Sequence, residues 1–77
     1  MSGRLPALKG GEVVRALEKA GFDVTRVKGS HHIMRHRADA SRGTVVPVHA
    51  GKDLKRGLLR KIIADAGLSE DEFTALL

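Results

Sequence analysis

FDVTRVKGSHHIMRH, residues 22–36, decides the fold. Phe22 to Lys28 is rich in β-branched side chains (Val24, Thr25, Val27) that alternate partially, which predicts a strand. Gly29-Ser30 is a short turn signal, and His31 to Arg37 then reads as the returning strand of a hairpin. Downstream, Ala38 to Gly43 is polar and predicts a loop, and Thr44 to His49 predicts a third strand. Pro47 qualifies that strand. A proline cannot donate to the ladder, so the strand lies at an edge or is bonded there only through its carbonyl side.

Helical spacing flanks this strand block on both sides. Val13, Ala16, Leu17 and Ala20 predict a first helix from about Gly10 to Ala20, with Gly21 placed as its C-terminal cap. No Ser, Thr, Asp or Asn precedes Glu12 closely, so Gly10 or Gly11 is the expected N-cap. Asp53 is a good N-cap for a second helix, about Leu54 to Ala66, carrying Leu54, Leu58, Leu59, Ile62, Ile63 and Ala66. Ser69 followed by Glu72 is a capping-box pattern, which predicts a short helix from Glu70 to about Leu77 that buries Phe73, Leu76 and Leu77. The order predicts an α+β fold: α-β-β-β-α, a three-stranded antiparallel sheet with helices on one face, and an extra C-terminal helix. One domain over 1–77 is expected.

The chain has 77 residues, with 14 Lys plus Arg against 9 Asp plus Glu, for a formal charge of +5. Large cofactor-binding folds do not fit in this length, and no cofactor is implied. The basic balance favours an anionic partner, most often nucleic acid. Aromatic residues make up only 3%, so platforms that stack bases on aromatic rings cannot be built from Phe22 and Phe73. Absence of Cys excludes disulfides, thiolate metal sites and a cysteine nucleophile, and suits a reducing cytosol. Met1 to Gly10 lacks the apolar core of a signal peptide, and no stretch approaches the roughly 18 apolar residues of a membrane span. A soluble, cytoplasmic protein is expected.

All four histidines, His31, His32, His36 and His49, lie mid-chain. Histidine's unperturbed pKa of about 6.5 suits proton transfer near neutral pH. In Lys28-Gly29-Ser30-His31-His32, glycine lets a phosphate approach the backbone, neighbouring amides can cradle an anion, Lys28 neutralises charge, and an imidazole can take a proton from a ribose 2′-hydroxyl. The competing reading is a solvated turn whose glycine only supplies a positive φ. Strand alternation sends His31 with Ile33 and Arg35 to one face, and His32 with Met34 and His36 to the other. Apolar residues occur in both sets, so parity leaves the choice open. No Asp, Glu or Cys stands at ligand spacing near the histidines, which disfavours a metal site.

Lys55 and Arg56 fall in the first turn of the second helix, where the dipole disfavours cations by roughly 0.3–1 kcal/mol. With Lys52 they would surround exposed N–H groups and form a phosphate site; an ordinary solvated face is the alternative. Gly57, inside that helix, hints at close approach by another backbone.

The turn and the Val46-Pro47-Val48-His49 strand, taken with Glu12-Val13-Val14-Arg15-Ala16-Leu17, Ala20-Gly21-Phe22 and the Lys52-Asp53-Leu54 to Ala66-Gly67-Leu68 segment, make the chain resemble the HicA (YcfA-like) family of mRNA interferase toxins over nearly its full length. The resemblance implies a double-stranded-RNA-binding-like fold and a metal-independent endoribonuclease that cleaves mRNA, arrests growth and is neutralised by a HicB-type antitoxin. The family's catalytic histidine maps onto His31, or onto His32 in the alternative alignment. Lys28, Gly29 and Ser30 would hold the phosphate, and His49 and Lys52 match recurrent family positions. Conventional double-stranded-RNA binders need about 16 base pairs of contact, a long footprint for this chain. A non-catalytic RNA-binding module of the same fold is the competing function, and a domain docking an acidic protein is a third. Ser69 to Leu77 extends past the usual end of the family and is acidic at Glu70, Asp71 and Glu72, where packing on the body or homo-oligomer formation are both open.

Overall fold

The computed structural model describes residues 5–77; the remainder of the expected 1–77 domain lies outside the described residues. Its elements are α1 (Gly10–Lys19), β1 (Phe22–Lys28), β2 (His31–His36), β3 (Gly43–Pro47), α2 (Arg56–Asp65) and α3 (Glu70–Thr74). The strands form one antiparallel sheet in the order β1-β2-β3. Gly29 has φ +60° while Ser30, like every other described non-glycine residue, has a negative φ, the type II′ arrangement that suits a tight hairpin.

Side-chain alternation gives this sheet one buried face. Phe22, Met34, Thr44 and Val46 are buried there against Val13, Ala16 and Leu17 of α1 and Leu59, Ile62 and Ile63 of α2. Val48 N–H donates to Ser30 O (2.7 Å) and His36 N–H to Arg42 O (2.9 Å), so the bonded pairs of β2 and β3 join even-numbered residues. The odd residues of β3 then turn their backbone groups to the outer edge. Pro47 is one of these, and its missing N–H costs the ladder nothing.

Several expected boundaries shift because tertiary contacts override local signals. Lys9, not a glycine, caps α1: its N–H donates to the Glu12 carboxylate (2.9 Å). A Cβ on Gly10 would stand 2.1 Å from Pro47 O, so the close backbone approach expected at Gly57 occurs here instead, and nothing lies within 4 Å of a Cβ on Gly57. Asp53 does not cap α2. It pairs with Lys9 in an isolated antiparallel bridge, Leu54 N–H donates to Leu8 O (2.8 Å), and the extended backbone of Lys55 delays the helix to Arg56.

The reciprocal Ser69–Glu72 box forms as expected, with Ser69 N–H to Glu72 Oε1 at 2.8 Å and Glu72 N–H to Ser69 Oγ at 3.0 Å. It turns Phe73 into the core, where full burial contributes roughly 1.5–3 kcal/mol. Leu76 packs partly, whereas Leu77 stays 49% exposed and is not part of the core. The acidic C-terminal element is thus a piece of the domain's packing. Among the described residues no helix is long and apolar enough to cross a membrane.

A candidate nucleic-acid site at the hairpin turn

The turn between β1 and β2 lies at the end of the molecule where both long helices begin. Gly10, the first residue of α1, touches Pro47 and Val48 at the end of β3, and the His49 to Lys55 connection leads directly into α2. The helices finish at the opposite end, where Arg37 N–H donates to Gly21 O (2.9 Å) and Arg42 Nε donates to Ala66 O (2.9 Å). The N-termini of both long helices, the positive ends of their dipoles, therefore share the turn's end of the molecule. Lys28, Lys52 and Lys55 are exposed there and form no ion pair among the described residues. Lys9 is paired with Asp53 at 3.4 Å. Arg56 is less free: its guanidinium donates to Leu5 O and ties the N-terminal segment to the start of α2.

A bulge in β1 aims the cation at the histidine. Val24 pairs with Met34, but Arg26 pairs with Ile33, so Thr25 is the extra residue and parity reverses beyond it. Thr25 Oγ1 donates to Ile33 O (3.2 Å) at that point. In consequence Lys28 sits directly opposite His31 and shares its face, away from the helices, with Pro47 opposite His31 on the other side. Without the bulge Lys28 would have pointed toward the helices.

The four histidines separate into distinct environments. His31 is exposed on the open face. His32 is half-buried on the helix face between Val27 and Val46, and its Nδ1 is buried with no hydrogen-bond partner among the described residues. His36 is a packing residue, edge-on to Phe22 with ring centroids 5.0 Å apart, and its Nδ1 accepts from Ala38 N–H (3.1 Å). His49 is exposed, with Nε2 3.4 Å from Ser30 Oγ, and so stands against the turn itself. The structure therefore gathers Lys28, Gly29, Ser30, His31 and His49 around one turn, and puts Lys52, Lys55 and Arg56 on the adjoining connection. It separates His31 from His32 by the thickness of the sheet.

Among the described residues no group of three or more His, Asp or Glu is placed to hold a metal ion. Two carboxyls are shifted, both away from the turn. Asp39 is held below the ordinary carboxylate range by the Ser41 hydroxyl and amide, and Glu72 by the Ser69 amide and hydroxyl. One feature was missed by sequence reasoning: a groove of about 530 Å³ at the edge strand β3, lined by His31, Ile33 and Val45 of the open face, by Thr44 of the helix face and by Leu58 and Lys61 of α2. Its signal was available in Ile33 and Val45, apolar residues on the parity that carries His31.

A family model described as HicA toxin of bacterial toxin-antitoxin matches residues 10–68, from the first residue of α1 past the end of α2. No curated protein matches the chain at a significant level.

Proposed function

The chain belongs to the HicA toxin family of bacterial toxin-antitoxin systems, and from that premise we propose that it is a metal-independent endoribonuclease acting on mRNA in the cytoplasm and neutralised by a HicB-type antitoxin. The observation that carries this reading is the pairing of Lys28 with His31 on the exposed face of a glycine turn. His31 is the general base. It takes the proton from a ribose 2′-hydroxyl, the 2′-oxygen attacks the adjacent phosphorus, and the bond to the 5′-oxygen of the next nucleotide breaks, that oxygen leaving with a proton taken from solvent water. Lys28 and the amides of Gly29 and Ser30 balance the charge that grows on the phosphoryl oxygens, where preorganised donors act most strongly. His49, Lys52, Lys55 and Arg56 hold flanking phosphates beside the helix N-termini.

His32 is the second candidate base, and its half-burial on the helix face is what ranks it behind His31. A folded His31→Ala protein should lose RNA cleavage and growth arrest while still binding RNA. Products should end in 2′,3′-cyclic phosphate or 3′-phosphate, and a 2′-deoxy residue at the cleavage site should block the reaction. Full activity in a His31→Ala/His32→Ala double variant would reject the mechanism, and 3′-hydroxyl products from a chelator-sensitive reaction would replace it with a metal-dependent one. Binding without any cleavage by the native chain would leave an RNA-binding module.

A further inference from the structure

The groove that begins at His31 has no part in the chemistry described so far. Its apolar walls are Ile33 and Val45 on the sheet, Pro47 at the strand end and Leu58 on α2. Val45 and Leu58 are 44% and 38% exposed, large aliphatic side chains left in water along one channel. We propose that this groove is a base-binding subsite for single-stranded RNA, holding the unpaired nucleobases next to the bond positioned at His31; this rests on the ribonuclease reading above.

Four observations carry it. His31 is itself part of the lining, so a strand with its ribose at His31 has the groove as a path for its neighbouring nucleotides. From His31 to Arg35 the strand rises about 13 Å, four steps of about 3.3 Å, which accommodates several bases. The charge also suits a polyanion: Lys61 and the groove's one acid, Asp65, pair with each other at 2.7 Å, and Arg35 is left, among the described residues, as the uncompensated positive charge on the groove. Finally, Pro47 stands on the outer edge of β3 and offers no N–H there, which interrupts strand addition by a peptide at the end of the groove nearest His31. Aliphatic walls can cover the faces of bases, which a duplex hides, and contact without hydrogen-bond readout tolerates any base.

The test uses the full chain and a 2′-O-methyl RNA decamer of mixed sequence, which cannot be cleaved. It is compared with the same decamer paired to its complement and with a decamer whose central residues are abasic. Native protein should bind the single strand about tenfold or more tighter than either control. The neutral double variant Val45→Gln/Leu58→Gln should lose that preference, keep its affinity for the abasic strand and keep its melting temperature. Equal affinity for abasic and base-bearing strands would overturn the proposal, as would a folded double variant with unchanged RNA affinity. Should the double variant fail to fold, photocrosslinking of native protein to a 4-thiouridine strand decides: crosslinks must fall on β3 and α2 residues of the groove, and crosslinks confined to the 28–31 turn overturn it. A double variant that binds RNA normally but fails to bind an acidic protein partner would reassign the groove to protein docking. Cleavage of unmodified RNA by the native chain, measured in parallel, tests the ribonuclease reading separately, since bases can seat in the groove whether or not the strand is cut.

Discussion

His31 and His32 are adjacent in the chain, chemically identical, and set in opposite halves of the molecule. The face of β2 that carries His31 looks outward, with Lys28 and Pro47 as cross-strand neighbours and a groove leading away. The face that carries His32 continues into Met34, which is fully buried under both helices. One face is free to bind because the other supplies the domain's cohesion. In a domain this small, few residues can do both, and the alternation of a single strand divides the work.

That division is broken most directly at the histidines. His31→Ala should reduce RNA cleavage by at least the roughly 10²–10⁴-fold that a general base contributes, with the melting temperature unchanged, since an exposed side chain far from the core contributes little to stability. His32→Ala should retain more activity. Both are to be assayed on the same RNA, with thermal unfolding recorded for each. Loss of cleavage in a folded His32→Ala, with normal cleavage in His31→Ala, would move the chemistry to the helix face and invert the comparison.

The next pair carries the same contrast into stability. Met34→Ala should cost about 2–5 kcal/mol, because a fully buried side chain leaves a cavity under the helices. Arg35→Ala, one residue on, should cost within about 0.5 kcal/mol, its guanidinium bonding among the described residues only to the carbonyl of exposed Ala40. Chemical denaturation of both variants measures the difference, and similar costs would mean that the open face contributes to cohesion after all. A subtler probe of the buried face is Thr44, whose Oγ1 is buried without a partner among the described residues. Thr44→Val keeps the shape and removes the unsatisfied hydroxyl, so stability should rise by about 1 kcal/mol.

Much of this arrangement was legible in the sequence. The short turn at Gly29-Ser30, the restriction that Pro47 places on the third strand and the Ser69–Glu72 box are local signals, and local signals survived folding. The face of each histidine was not legible, because Ile33 and Met34 are both apolar and only the packing of Met34 under the helices decides which parity points outward. The bulge at Thr25 that turns Lys28 toward His31 also has no local marker. Asp53 and Gly57 misled for a related reason. Their neighbours in space, Lys9 for the first and none for the second, are fixed by contacts more than 40 residues distant in sequence or by their absence.

The smallest effect concerns the end of the molecule where the two faces meet. Lys55 caps α2 with no side-chain hydrogen bond, and no acid lies in the first turn, so the helix begins with a cation where its dipole favours an anion. Lys55→Glu should therefore stabilise the domain by roughly 0.3–1 kcal/mol. The same change should weaken RNA binding and lower the slope of log affinity against log salt by about 0.7, the loss of one phosphate contact on a single strand. Arg56 is a poorer probe, because replacing it also breaks the bond to Leu5 O. The two expected effects of Lys55→Glu have opposite signs, so a general loss of structure cannot imitate them. Greater stability with unchanged affinity and salt slope would leave Lys55 a solvated residue and confine the binding surface to the turn and the open face.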